Sequence, residues 1–533
     1  MASLLELSHE LIHCIFTEIE PADLSSLSQS CRALRSYISG NRLLHRDLYV
    51  RRYDEPPWVK TEPDWEDWIH RRVKLEKLLD TEDRDVKRKN LEYIAQEINS
   101  LVETADKDQE ESRNIQLLSD SFMSTDNVDP LLCGSSLFAP GRAGDSDQTQ
   151  AETPELRQAS AKLHCLYGVP VDTIPSRSSF YSLIRHRRAG LALSPSLCTR
   201  SQVSSRSTHQ FARSKVYDLR EYTDNTLWGP FRNDGSHRVD WEKVEAVMIV
   251  LGFNLRRFTD RSDGRFPLIW KHPFVGATPG SYKSPPRIAP PEKKDFDEDA
   301  GVIRELALNK NAMDPYGVTG CWMRVVCFLD YNDLHAFNFS KRIPDDQLRE
   351  PIDTEEGLIE LAETARIALT DHFAAAIRLI RIKLQVTRID PPGSTRPRSS
   401  SGNFDDDETE DEEDEGLDWS NFEGERLPVV HFRGTSRSLH ASWDPNANSR
   451  IRGTVRQTPE GEIRWTTFSI FHGEERWRSE GIQVGGLKSA RGVLGNWFDK
   501  DYDMHGPAGP TAFWKESDEL DEEKSSSTPL AFF

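Results

Sequence analysis

The sequence predicts an α+β protein, with N-terminal helices followed by a large antiparallel β-barrel-like domain carrying disordered inserts. Three observations lead there. Up to about residue 104, apolar side chains recur at helical spacing. From about residue 214, short runs alternate apolar and polar residues and are punctuated by glycine-containing turns. An acidic run, Asp405–Glu415, then interrupts the second region, and strand-like texture resumes beyond it at Leu427.

The first fifty residues read as short helices. Leu11, Ile12, Ile15, Phe16 and Ile19 follow Ser8 at the spacing of one helical face, and Ser8 suits an N-cap. Pro21 stops that helix and suits the first turn of the next, with Leu24 and Leu27 on its inner side. Cys31, Leu34 and Ile38 continue the pattern until Gly40, and Leu43, Leu44, Leu48 and Tyr49 form one more amphipathic helix. A unit this small buries little core alone and gains by laying an apolar face on a partner. A helical subdomain packed on its own chain would show the same periodicity.

The strings Glu10-Leu11-x-x-x-Ile15-Phe16, Asp23-Leu24-x-x-Leu27, Cys31-Arg32 and Asn41-x-x-Leu44 resemble the F-box family signature, over residues 1–54. The resemblance implies that Leu7, Glu10, Leu11, Ile15, Phe16, Ile19, Leu24, Leu27 and Cys31 contact the Skp adaptor of an SCF-type ubiquitin ligase, and through it a cullin and a RING protein. Two positions depart from the family pattern: Ser8 stands where Pro is usual, and His45 where Trp is common.

Residues 55–104 read as charged connecting helices, with Trp65, Trp68, Leu75, Leu79, Leu91, Ile94 and Ile98 on a partial stripe. Residues 105–213 are expected to be partly disordered with short packed segments. Ala105–Glu155 is polar, Leu163–Val171 can pack, and Ser176–Ser207 is rich in Ser and Arg. Residues 214–515 read as one β-rich domain. Asp240 caps a helix Trp241–Leu251 that Gly252 ends. Strands are expected at Val318–Leu329, Ile380–Ile389, Val429–Arg433, Arg450–Arg456, Glu462–Phe471, Glu475–Val484 and Gly492–Trp497. Gly280–Ala300 reads as a loop and Glu355–Phe373 as a helix, about 391–426 as a disordered acidic insert, and 516–533 as a flexible tail.

Charge and cysteine narrow the function. The net charge of −20 is concentrated: Asp405–Glu415 holds ten of the 88 acidic residues, and the remaining 78 against 68 basic leave −10. That balance speaks against nucleic-acid binding, which needs Lys and Arg to replace phosphate counterions. Seven scattered cysteines without Cys-x-x-Cys spacing argue against a zinc site and fit a reducing compartment. No secretory signal is read, and the apolar run at Ala246–Phe253 is too short to span a membrane. The expected location is intracellular, cytoplasm or nucleus.

No nucleophile elbow, H-E-x-x-H or P-loop is present. The densest polar cluster is Asp499, Asp501, Asp503 and His505. It fails the EF-hand pattern at its sixth and twelfth positions, and reads as a polar capping loop or a rim for peptide; an enzyme site there is a rival. Arg452, Arg476 and Arg478 lie on strands near Trp477 and Trp465. They suit capture of an acidic motif, but the residues favour an ordinary wet strand face paired with Glu462, Glu474 or Glu480.

Val216–Arg220, Leu227–Phe231, Asp240–Glu245, Gly434-Thr435-Ser436, Ile451–Arg456 and Trp497–Trp514 look like stretches of fungal F-box proteins. The region is distantly similar to the β-barrel substrate-binding half of the F-box only protein 31 family. The two resemblances together imply a substrate receptor of an SCF ubiquitin ligase that binds an unidentified target protein through its β domain. No cofactor, metal or catalytic residue is expected. An F-box scaffold that holds the adaptor outside SCF is the other rival.

Overall fold

A computed structural model describes residues 7–56, 63–108, 111–138, 151–170, 202–261, 270–283, 313–329, 331–339, 377–392, 427–439, 448–501 and 505–520. They form two compact units. One holds residues 1–213, 241–282 and 489–491; the other holds 214–240, 283–488 and 492–533.

The helical unit opens with α1 His9–Thr17, a 3₁₀ turn at Pro21–Asp23, α2 Leu24–Ser30, α3 Arg32–Ile38 and α4 Arg42–Arg52. The caps are the ones the sequence suggests. The Leu11 N–H donates to Ser8 Oγ (3.4 Å), and Asn41 Oδ1 accepts from Leu44 N–H (3.2 Å). Gly40 turns the chain between α3 and α4 at φ +72°, where a side chain would be strained. Ile12, Phe16, Leu24, Leu34, Ile38, Leu44 and Leu48 are buried.

α5 Trp65–Asp80, α6 Arg84–Lys89 and α7 Leu91–Glu103 continue the unit. Glu97 on α7 is buried and takes Arg72 (2.7 Å) and Arg71 (2.5 Å) from α5. Asp54, just after α4, accepts from Asp106 N–H (2.9 Å), Ser112 Oγ (2.6 Å) and Arg113 N–H (2.9 Å), which ties the first helices to α8 Arg113–Ser121.

Two sequence expectations are corrected here. Within Ala105–Glu155, read as flexible, stand α8 and α9 Thr125–Leu132, with Ile115, Leu118, Leu131 and Leu132 buried. The polar residues that suggested disorder are caps and bonded core groups. Ser112 caps α8, Ser124 caps α9, and buried Asn127 accepts from Lys87 Nζ (2.6 Å). The helix expected to stop at Gly252 instead runs Trp241–Arg261 and packs in this unit against α10 Pro154–Tyr167, not in the β-rich domain. Gly252 is there for close approach: an added Cβ would lie 2.7 Å from Pro170. A fully buried pair, His164 on α10 and Glu245, joins the two helices at 2.6 Å.

The second unit is a closed antiparallel barrel of eight strands: β1 Gly320–Cys327, β2 Ile377–Asp390, β3 Val429–Ser438, β4 Asn448–Gln457, β5 Ile463–Phe471, β6 Glu474–Gln483, β7 Val493–Asp499 and β8 Ala508–Ser517. Seven were anticipated. β8 was not, because Gly506–Trp514 reads as a rigid turn. In the barrel Pro510 sits opposite Asn496, and Gly509 admits the Trp497 indole, so both turn-like residues are packing devices inside a strand. The lumen core is Trp322, Trp465, Phe513, Phe432 and their aliphatic neighbours. The Trp322 and Trp465 rings meet at 5.1 Å across the barrel. The acidic run, Ser176–Ser201, Glu355–Phe373 and most of Gly280–Ala300 lie outside the described residues; Gln202–Tyr217 is a helix.

Residues 219–239 cover the outside of β5–β7. Tyr222 and Trp228 pack on Phe498, Phe231 sits under the Arg464 guanidinium (5.0 Å), and Gly229 leaves no room for a Cβ against Glu480. Glu480 is fully buried there and takes Arg464 (2.8 Å), Arg478 (2.5 Å) and Thr466 Oγ1 (2.9 Å).

Burial by itself would raise the Glu480 pKa, but the two guanidinium groups hold it below the usual carboxylate range. The unfolded chain therefore binds this proton more readily than the folded one. The stabilisation is complete above the ordinary glutamate pKa of about 4.3 and is lost as pH falls through the lower folded value. Glu480→Gln is expected to cost roughly 3 kcal/mol at neutral pH and to flatten the acid limb of barrel stability below about pH 4.5. Urea unfolding across pH, read by tryptophan emission, checks both; an unchanged acid limb would remove Glu480 from the account.

Candidate functional site: the outer face of the first helix

α1 carries apolar residues on two sides. Ile12 and Phe16 face inward, Phe16 with no exposed surface, its ring edge-on to Tyr37 at 5.5 Å. Leu11 and Ile15 point outward and are 52% and 41% exposed. A nine-residue helix needs one apolar stripe for its own core, so the second is surplus to folding. Leu7, Ile19, Leu27 and Cys31 are half-buried, and Glu10 is exposed. Ile19 and Leu27 line a shallow open groove of about 350 Å³ together with Asp23, Ser26 and Ser30. Leu24 belongs to the core.

The nine F-box positions named from sequence therefore divide. Leu11, Ile15, Ile19 and Leu27 present apolar surface, and Leu7, Glu10 and Cys31 are partly or fully accessible. Phe16 and Leu24 hold the helices together. Leu43, which the sequence placed in an amphipathic pattern without a side, is 58% exposed. The two departures from the family pattern have local roles: Ser8 caps α1, and His45 is buried with Nδ1 at 2.9 Å from the Asn41 carbonyl.

The barrel candidates do not assemble into one site. Arg452 is bonded to Glu475 and stacks on Phe468 at 4.2 Å; Arg478 is bonded to Glu480 and stacks on the same ring at 5.3 Å. Both are held in intramolecular ion pairs on the outer face. Trp477 alternates with Arg476 and Arg478 along β6 and so faces the lumen, where it meets Trp497 edge-on at 5.3 Å. Arg476 is exposed beside the Trp477 ring (5.3 Å). Asp499 ends β7 and caps Asp501 N–H at 2.9 Å, Asp501 is exposed, and His505 stacks on Phe339 at 4.8 Å. Asp503 lies outside the described residues. Among the described residues no group of three or more His, Cys, Asp or Glu could hold a metal ion, and no helix is long and apolar enough to cross a membrane.

Sequence reasoning missed Arg324. It is 5% exposed on β1, and donates from Nε to Thr511 Oγ1 (3.1 Å) and from Nη2 to Ser479 Oγ (3.1 Å). The available signal was a lone Arg inside an otherwise apolar strand run, CWMRVVC.

The split across α1 has a stability signature. Phe16→Ala is expected to cost the helical unit about 3–5 kcal/mol, and Ile15→Ala within about 0.5 kcal/mol. Denaturant unfolding followed by far-UV circular dichroism checks both, and equal losses would mean that Ile15 is core.

A family model for the F-box domain matches residues 4–46. No curated protein and no solved structure matches the chain. The matched residues are the helices that carry the surplus apolar stripe, and with that stripe the chain is an F-box domain-containing protein.

Proposed function

We propose that this protein is the substrate-recognition subunit of an SCF-type E3 ubiquitin ligase. The F-box holds the Skp adaptor, and through it a cullin and a RING protein; the β-barrel unit binds the target protein. The observation that carries the reading is the exposed Leu11–Ile15 stripe inside the F-box match, an apolar face that the fold itself does not cover within its unit. An amphipathic helix with such a face docks into an apolar groove.

The chain's contribution to ubiquitin transfer is proximity. It holds target lysines near a charged conjugating enzyme, which turns a slow encounter into an effectively unimolecular step. No side chain of this protein acts as acid, base or nucleophile in that scheme. The ion-paired state of Arg452 and Arg478 argues against their serving as free donors to an acidic motif.

Affinity purification of the tagged full-length chain beside a Leu11→Asp/Ile15→Asp version, with mass spectrometry of both, tests the reading. Adaptor and cullin are expected with the first and lost from the second, while target proteins stay with both. Phe16 is left intact because its replacement would unfold the helices. Adaptor without cullin would point to a scaffold outside SCF, and equal recovery of adaptor by both versions would sink the docking face.

A further inference from the structure

The outside of the barrel is unevenly charged. On β2, β3 and β4 the residues that alternate with the lumen core point outward, and among them are Arg381, Lys383, Arg433, Arg437, Arg450 and Arg452. The register sets like charges side by side. Arg381 lies directly opposite Arg437, and Arg433 directly opposite Arg452, while Lys383 and Arg450 flank Thr435 from its two sides. Like charges facing one another across an antiparallel pair repel. Arg381, Arg433, Arg437 and Arg450 are exposed.

Carboxylates are scarce on the same face. The three strands carry one, Asp390 at the end of β2, and it is taken by Arg388 (2.7 Å) and His431 (2.9 Å). Neighbouring strands supply two more: Glu475 of β6 bonds Arg452, and Glu516 of β8 stands 3.6 Å from Arg381. Lys383, Arg433 and Arg450 form no ion pair with any described residue. The outer face of β5 and β6 is built differently, with Glu480 between Arg464 and Arg478. A sheet that balances its charges there and leaves three adjacent strands cationic presents a surface suited to a polyanion.

The chain carries such a polyanion and attaches it to this face. The run Asp405–Glu415 holds ten carboxylates, and it lies in the connection from Asp390, where β2 ends, to Val429, where β3 begins. Asp405 is fifteen positions after Asp390, and Val429 is fourteen after Glu415. Chain of that length reaches roughly 50 Å when extended, whereas Arg437, further along β3, is only about 27 Å from the same end of the face. A tether of this size holds the run at an effective concentration on the order of millimolar, which a free acidic partner would have to overcome. We infer that the acidic run seats on the outer face of β2–β4 of its own chain, as the counter-charge that these strands lack. The contact is ionic and exposed, so salt screens it. It keeps the cationic sheet from other polyanions, which fits a chain whose net charge is −20. The inference does not rest on the receptor reading above.

The full-length protein is treated with a zero-length carbodiimide at about 50 mM and about 500 mM salt. The reagent joins carboxylates to lysine amines, and Lys383 is the one lysine on β2–β4. At low salt a link is expected between Lys383 and the 405–415 run, and at high salt its loss. An equal mixture of ordinary and isotope-labelled chains is expected to give links within single chains. The cross-link needs no substitution, so it stands whether or not a variant folds. A second arm titrates a fluorescent single-stranded oligonucleotide, a generic polyanion, at low salt. Replacing the ten acids by their amides (Asp→Asn, Glu→Gln) is expected to tighten its binding at least about tenfold. Adding Arg433→Gln and Arg450→Gln to that variant is expected to remove the gain, which a change of net charge alone would leave in place. Any of four results overturns the inference. One is no link to Lys383 at low salt. Another is links between labelled and unlabelled chains, which would make a second copy the occupant. A third is equal oligonucleotide binding with and without the ten acids, which would leave the face open to a partner in trans. The last is a gain that survives both arginine substitutions.

Discussion

The pairing of β1 with β8 is the constraint on which the second unit depends. Register runs from Cys321 opposite Ser517 to Val326 opposite Thr511, and it joins segments nearly two hundred residues apart in the chain. Closure satisfies the backbone donors and acceptors of both strands that would otherwise be sheet edges. It also fixes what intervening sequence can do. The long stretch between β2 and β3, which holds the acidic run, connects directly paired strands and so leaves the ladder intact whatever its length. A narrow eight-stranded lumen then has to accept Trp322, Trp465, Trp497 and Phe513. Gly453 and Gly509 make the room: an added Cβ would lie 2.4 Å from the Phe432 ring and 2.9 Å from the Trp497 indole, respectively.

The helical unit answers a different constraint. Its first four helices are short; Asp54 ties them to α8 and Arg52 ties them to α5 through Glu76, while Arg72 and Glu97 join α5 to α7. With the unit held from one side, α1 is released to spend its outer face on something else. A single residue step decides the role: Ile15 faces solvent and Phe16 the core, although both are apolar and adjacent. A sequence signature cannot separate them, because it records which residues the domain requires and not whether the requirement comes from folding or from docking.

The same limit explains what was legible. The alternation of Ile380 to Val386 and the punctuation by Gly461, Gly473 and Gly485 place the strands well, because period and turn chemistry are local properties. β8 was lost because Gly509 and Pro510 are used for approach and packing, a tertiary reason with a turn-like appearance. α8 and α9 were lost because Asn114 and Asn127 are buried polar residues whose partners, the Leu101 carbonyl and Lys87, are distant in sequence. At the candidate sites, residue type was legible and direction was not. Arg476, Trp477 and Arg478 form one cluster in sequence, and the pleat sends them to opposite faces of β6.

That pleat also separates two environments of buried charge in the barrel. β6 carries Glu480 outward and Ser479 inward. On the outer face the carboxylate is saturated by Arg464 and Arg478 and sealed beneath Gly229 and Phe231, so its charges stabilise the barrel and have nothing left to offer. On the inner face Arg324 reaches Ser479 across the lumen, with Phe513 opposite it on β8 and Trp497 opposite Ser479 on β7. One strand thus joins a neutralised charge cluster on the outside of the barrel to a cation held inside it by the hydroxyls of Thr511 and Ser479.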